Sequence, residues 1–163
     1  MAATVADLEA LYRERYRVFL RVATAISGEA ACGADAVQDG FARAITSRAA
    51  FRGDGPLEAW VWRIVVNAAR ATRTKAQPVD ISSQAPGSPG SAWDTPSDPD
   101  PHGVHALLGA LPERERLVVF LRYFADLDYR SIATALEIKV GTVSATLHAA
   151  HAALRRSLEE ANQ

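Results

Sequence analysis

The chain has 163 residues, 48% apolar and 7% aromatic, with a formal net charge of −1; that is room for one medium domain or two small ones, and the alanine-rich stretches favour helices over sheets. No apolar run approaches the roughly 18 residues of a membrane span, and the N-terminus, MAATVADLEALYRERY, carries acids where a secretory signal would place basic and then apolar residues. The single cysteine, Cys32, can form no internal disulfide and has no metal-ligand neighbour at a useful spacing, so a cytoplasmic location without membrane insertion is expected.

Residues 1–75 hold eleven Arg/Lys against eight Asp/Glu and read as a first helical block. Leu8, Leu11, Val18, Phe19, Val22 and Ile26 recur at helical spacing and predict a long helix ended by Ser27-Gly28. Ala34, Val37, Phe41, Ala44 and Ile45 mark a second. Gly40 falls inside it, where glycine costs about 1 kcal/mol against alanine; it either weakens this helix or permits a close approach. Phe51-Arg52-Gly53-Asp54-Gly55-Pro56 is a loop, and Pro56 suits the first turn of a third helix. That helix carries Leu57, Trp60, Val61, Ile64, Val65 and Ala68. Trp60 shares a face with Ile64, so it reads as core, while Arg63 and Asn67 lie one turn apart on another face. Arg70, Arg73 and Lys75 fit two roles: opposing the dipole at a helix C-terminus and tracking a nucleic-acid backbone.

Residues 76–101 contain no Arg or Lys, four Asp and a high share of Pro, Ser and Gly. They predict a flexible, disordered linker with Trp93 as its one large apolar residue. Residues 102–163 carry seven charges of each sign and form a second block. Val104, Leu107, Leu108 and Leu111 make a short stripe. Leu111-Pro112 opens a helix with Glu113 and Glu115 near its positive end and Leu117, Val118, Leu121 and Phe124 on its buried face. Asp128 is a candidate N-cap for a short helix containing Ile132 and Leu136. After Glu137-Ile138-Lys139 a last helix follows, with Val140, Val143, Leu147, Ala150, Leu154 and Leu158 on one face. A short helix, a tight turn and a longer helix read as helix-turn-helix. The expected fold is therefore all-α: two small helical domains, 1–75 and 102–163, joined by a flexible linker, the C-terminal one a helix-turn-helix.

LDYRSIATALEIKVGTVSATLHAAHAALRRSL (Leu127–Leu158) resembles the promoter-binding end of the extracytoplasmic-function sigma factors, and LPERERLVVFLRYF (Leu111–Phe124) resembles the helix pair that supports it. DAVQDGFARAI (Asp35–Ile45) and FRGDGPLEAWVWRIVVNAAR (Phe51–Arg70) resemble the family's polymerase-binding and −10-reading segment. The resemblance implies a bacterial factor that directs RNA polymerase to specific promoters and promotes melting, with 1–75 as a region 2-like and 102–163 as a region 4-like domain. Its partners would be core polymerase, through the clamp helices and the flap, promoter DNA, and an anti-sigma factor. No cofactor is implied.

Carried over residue by residue, the polymerase contacts fall on Asp35, Gln38, Asp39 and Arg43. The −10 contacts fall on Phe51, Arg52, Gly53, Asp54, Trp62, Arg63, Asn67 and Arg70, because melting needs a pocket for an unstacked base and cations for the single strand. The −35 contacts fall on Arg130, Lys139, Thr142, Ser144, Ala145, Thr146 and His148. Here the chain departs from the family. The recognition helix usually carries several cations in its first half, yet no residue from 140 to 154 is Lys or Arg. Phosphate neutralisation supplies much of DNA affinity, so weak −35 binding is expected. Glu137 occupies a turn position where glycine is common, which implies backbone strain or a different local turn.

The other function classes fare poorly. His102 and His105, and His148 and His151, are paired at a spacing of three, but no Cys or carboxylate completes a four-ligand set, so no metal is expected. There is no phosphate-cradling glycine loop, no nucleophile elbow and no carboxylate pair with a supporting histidine, so the chain does not read as an enzyme. The alternative is a sigma-like regulator with weakened −35 binding that acts through protein partners: an anti-sigma factor, an activator, or competition for core polymerase.

Overall fold

The computed structural model describes residues 3–76 and 104–161. The expected linker lies outside the described residues apart from Ala76, which closes a helix. Every regular element among the described residues is helical.

The first block is a three-helix unit. Helix α1 (Val5–Ser27) starts at a capping box. Thr4 Oγ1 accepts the Asp7 N–H at 3.2 Å, and Asp7 Oδ2 accepts the Thr4 N–H at 2.9 Å. The Thr4 hydroxyl, which donates to Asp7 Oδ2 at 2.7 Å, and with it the Thr4 N–H hold the Asp7 carboxyl below its usual range. Gly28, at φ 88°, ends α1 in the left-handed conformation that glycine adopts without strain.

Helix α2 (Ala30–Thr46) follows after two residues and buries Gly33, Ala36, Val37, Gly40, Phe41 and Ala44 along one stripe. Of the two readings of Gly40, close approach is the right one. A Cβ there would stand 2.7 Å from Val65 Cγ2 and 3.0 Å from Val65 Cα. Gly33 does the same against α1, where a Cβ would meet the Thr24 backbone at 2.7 Å.

A 3-10 turn (Arg48–Ala50) and the glycine loop lead to α3 (Leu57–Ala76). Its core face is Val61, Trp62, Val65, Val66, Ala68 and Ala69. Phe19 of α1 joins the three helices: it stacks on Trp62 at 4.0 Å and meets Phe41 edge-on at 5.1 Å.

The second block holds α4 (Val104–Ala110), α5 (Glu113–Tyr123), α6 (Tyr129–Leu136) and α7 (Val140–Ala161). Asp128 caps α6 as expected, its Oδ1 accepting the Ser131 N–H at 2.7 Å. Glu137 sits at φ 55°, ψ 44°, a left-handed conformation that strains a residue with a side chain. It turns the chain from α6 into α7. On α7 the stripe buries Val143, Leu147 and Ala150, while Val140 and Leu158 at its two ends are exposed. Phe124, expected on the buried face of α5, is half-exposed instead; Phe120, one turn earlier, is buried. The Arg21 guanidinium of α1 lies 5.2 Å over the Phe124 ring.

The two blocks pack together. Helix α3 lies against α6, α1 touches α5, and the buried apolar residues of both blocks form one continuous cluster. Polar contacts cross the same boundary. Arg15, paired with Glu58 of its own block at 3.0 Å, donates across the boundary to the carbonyl of Ala125. Among the described residues no helix is long and apolar enough to cross a membrane.

Candidate nucleic-acid and polymerase interface

The four expected polymerase contacts lie together. Asp35, Gln38, Asp39 and Arg43 are all exposed on the face of α2 opposite its glycine-lined stripe. Asp39 pairs with Arg43 at 2.8 Å, one turn on. The pair is solvated, so it contributes at most about 0.5 kcal/mol to the helix. Both groups therefore remain open to an outside partner.

The −10 set divides. Arg52, Gly53 and Asp54 form an exposed loop, with Gly53 at φ 78°. Phe51 is half-buried beside it. Arg63 and Asn67 are exposed on one face of α3, as expected, and Arg70 follows at its edge.

Trp62 is a correction. Its side chain is fully buried, and its Nε1–H reaches Glu58 Oε1 at 3.2 Å; a ring inside the core cannot meet a base. The tryptophan beside the loop is Trp60, half-buried and 5.6 Å from the Phe51 ring. The assignment of Trp60 to the core rested on the face it shares with Ile64. The face is shared, but it is itself only half-buried. The adjacent apolar pairs Val61-Trp62 and Val65-Val66, one turn apart, were the available signal for a wider buried arc.

The α3 cations do not face open solvent alone. Arg63 pairs with Glu137 at 3.6 Å, Arg70 with Glu113 at 3.5 Å and Arg73 with Glu113 at 2.8 Å. Arg70, Arg73, Glu113, Arg114, Leu136 and Ile138 line a groove of about 420 Å³ between α3 and the second block. Glu113 was read only as a dipole partner, because nothing in the spacing of the second block points across to α3.

The −35 set lies on the turn and first half of α7 together with Arg130 of α6. Arg130, Lys139, Ser144, Ala145 and His148 are exposed. Thr142 and Thr146 are half-buried, and the Thr146 hydroxyl is bonded to the Thr142 carbonyl at 2.7 Å. His151 shares a hydrogen bond with the Tyr123 hydroxyl at 2.9 Å. The outward face of α7 thus presents hydroxyls, a methyl and an imidazole before its first arginine at Arg155.

Residues 11–78 match the family described as Sigma-70 region 2, and residues 102–154 match the family described as Sigma-70, region 4. The RNA polymerase sigma-H factor of Pseudomonas aeruginosa is 28% identical over 77% of this chain and 72% of its own. The ECF RNA polymerase sigma-E factor of Escherichia coli K12 is 28% identical over 77% of this chain and 73% of its own. The chain belongs to the extracytoplasmic-function sigma factors of the sigma-70 family.

The fold of this sigma factor is similar to that of CnrH, solved in complex with the cytosolic domain of CnrY, with a TM-score of 0.70 and 20% identity over 97% of this chain and 91% of that one. It is also similar to the sigma factor RpoE of Bartonella quintana, solved with the anti-sigma factor NepR, with a TM-score of 0.67 and 21% identity over 95% and 99% of the two chains. As a member of this family the protein is a factor of transcription initiation.

Proposed function

We propose that this sigma factor binds core RNA polymerase through the exposed α2 face and through its second block, directs it to specific promoters, and melts the −10 element at the α3 face. The observation that carries the reading is the continuity of these surfaces. The mixed-charge face of α2, the glycine loop and the Arg63–Asn67 face of α3 follow one another along a single rigid three-helix unit. A sigma factor has to grip polymerase and promoter at once, and one rigid body aligns both grips. The experiment is co-elution with purified core polymerase. The wild-type chain should associate at micromolar concentration, and Asp39→Arg should weaken the complex; no association by the wild type refutes the reading.

A second reading shares the polymerase grip but assigns promoter selection partly to a protein partner. It is favoured by the cation-free first half of α7. An anti-sigma factor is the partner class we assign, since related folds are solved with CnrY and with NepR.

A further inference from the structure

A guanine in the major groove shows two acceptors, O6 and N7, and the side chains that meet both are Arg and Lys. Helix α7 carries neither from Val140 to Leu154. Past Gly141, its exposed side chains over the next two turns are those of Ser144, Ala145, His148 and Ala149. Thr146, half-buried among them, donates its hydroxyl proton to the Thr142 carbonyl at 2.7 Å and so has no donor for a base. We propose that α7 reads its promoter element through thymine methyl groups, with Ala145 and Ala149 meeting them, and specifies no guanine. The proposal rests on the reading of α7 as the −35 surface and names the base pairs that this surface takes.

The chemistry of the exposed face fits A·T pairs. The thymine C5 methyl is the apolar group on the major-groove edges, and alanine is a side chain that packs on it. Short side chains also let the helix backbone lie close to the groove floor, where that methyl is desolvated. Ala145 and Ala149 stand one turn apart, so both turn to the same groove. Ser144 and His148 flank them and can each bond one polar atom of an adenine or thymine edge. Neither can span O6 and N7 of guanine as a guanidinium does. The nearby exposed cations lie off this face: Lys139 precedes the first residue of α7, and Arg130 stands on α6, the helix that crosses the strand backbone in this motif. Their charge goes to phosphates, which set position without selecting sequence.

The experiment uses the full chain on core polymerase, presented with a duplex library randomised through both promoter elements, and the bound molecules are sequenced. The enriched duplex is then remade with deoxyuridine in place of each upstream thymine, which removes only the methyl, and with 7-deazaguanine in place of each upstream guanine, which removes N7. The upstream element should consist of A·T pairs, and loss of one contacted methyl should weaken binding about fourfold. Ala145→Ser and Ala149→Ser should each abolish that loss at one position. Lys139→Ala should weaken binding to all sequences alike. An upstream guanine whose 7-deaza replacement weakens binding overturns the proposal, as does binding that ignores every deoxyuridine. Enrichment of a −10 sequence with no upstream element also overturns it and leaves the sigma reading standing. No association of the wild type with core polymerase overturns the sigma reading and the proposal with it.

Discussion

The indole of Trp62 lies on the ring of Phe19 with centroids 4.0 Å apart and planes 25° apart, and its N–H is held by Glu58 at 3.2 Å. This contact pins α3 to α1 and decides which tryptophan is structural. Trp62→Ala should cost about 3–5 kcal/mol, read as a shift in the urea midpoint. Trp60→Ala should cost less than about 2 kcal/mol and instead reduce permanganate reactivity of the −10 strand in open complexes. Equal losses of stability in the two variants would contradict the assignment.

The fold was legible where apolar spacing repeats. Leu8, Phe19, Val22 and Ile26 on α1 and Val143, Leu147 and Ala150 on α7 lie buried as their periods required, with Leu11 and Val18 half-buried at the edge of the α1 stripe. Asp128 was legible as a cap because its side-chain chemistry acts locally. What escaped was non-local. Period alone cannot say which of two tryptophans two residues apart faces a neighbouring helix, nor that Phe124 would lie under an arginine from α1. The pairing of Glu113 with Arg73, 40 residues away in sequence, left no trace in either segment. The polar face of α2 was legible because Asp35, Gln38, Asp39 and Arg43 recur at spacings of three and four on the side turned away from its buried stripe.

Gly40 permits α2 and α3 to close on each other, which keeps the exposed α2 face and the Arg63–Asn67 face of α3 in fixed register. Gly40→Ala gains about 1 kcal/mol of helix propensity, but the new Cβ meets Val65 at 2.7 Å. Overpacking of this kind costs about 1–3 kcal/mol, so the variant should be less stable overall. A rise in melting temperature would contradict the close approach.

The hydrogen bond from Ser131 N–H to Asp128 draws the Asp128 carboxyl below its ordinary value of 3.8. A carboxylate with a lowered folded-state value stabilises the fold above its unfolded value, and loses that contribution as pH falls through the folded one. Asp128→Ala should therefore destabilise the chain by about 1 kcal/mol at neutral pH. The difference from wild type should shrink as pH falls below about 4.

Ser144 and His148 are exposed one turn apart on the cation-free first half of α7. Each phosphate neutralised adds about 0.9 to the slope of log affinity against log salt. The full chain should bind promoter duplex with a shallow slope, and Ser144→Lys with His148→Arg should steepen it by about 2 while tightening binding. A steep slope in the wild type would mean that other residues meet the duplex.

Transcription in vitro by purified core polymerase, with a promoter library as template, tests the central claim most directly. The wild-type chain should yield initiation from a restricted set of promoters sharing a −10 sequence, and Arg63→Ala should depress open-complex formation more than polymerase binding. No promoter-specific transcript from a chain that folds and binds polymerase would contradict the assignment of promoter recognition and melting to it.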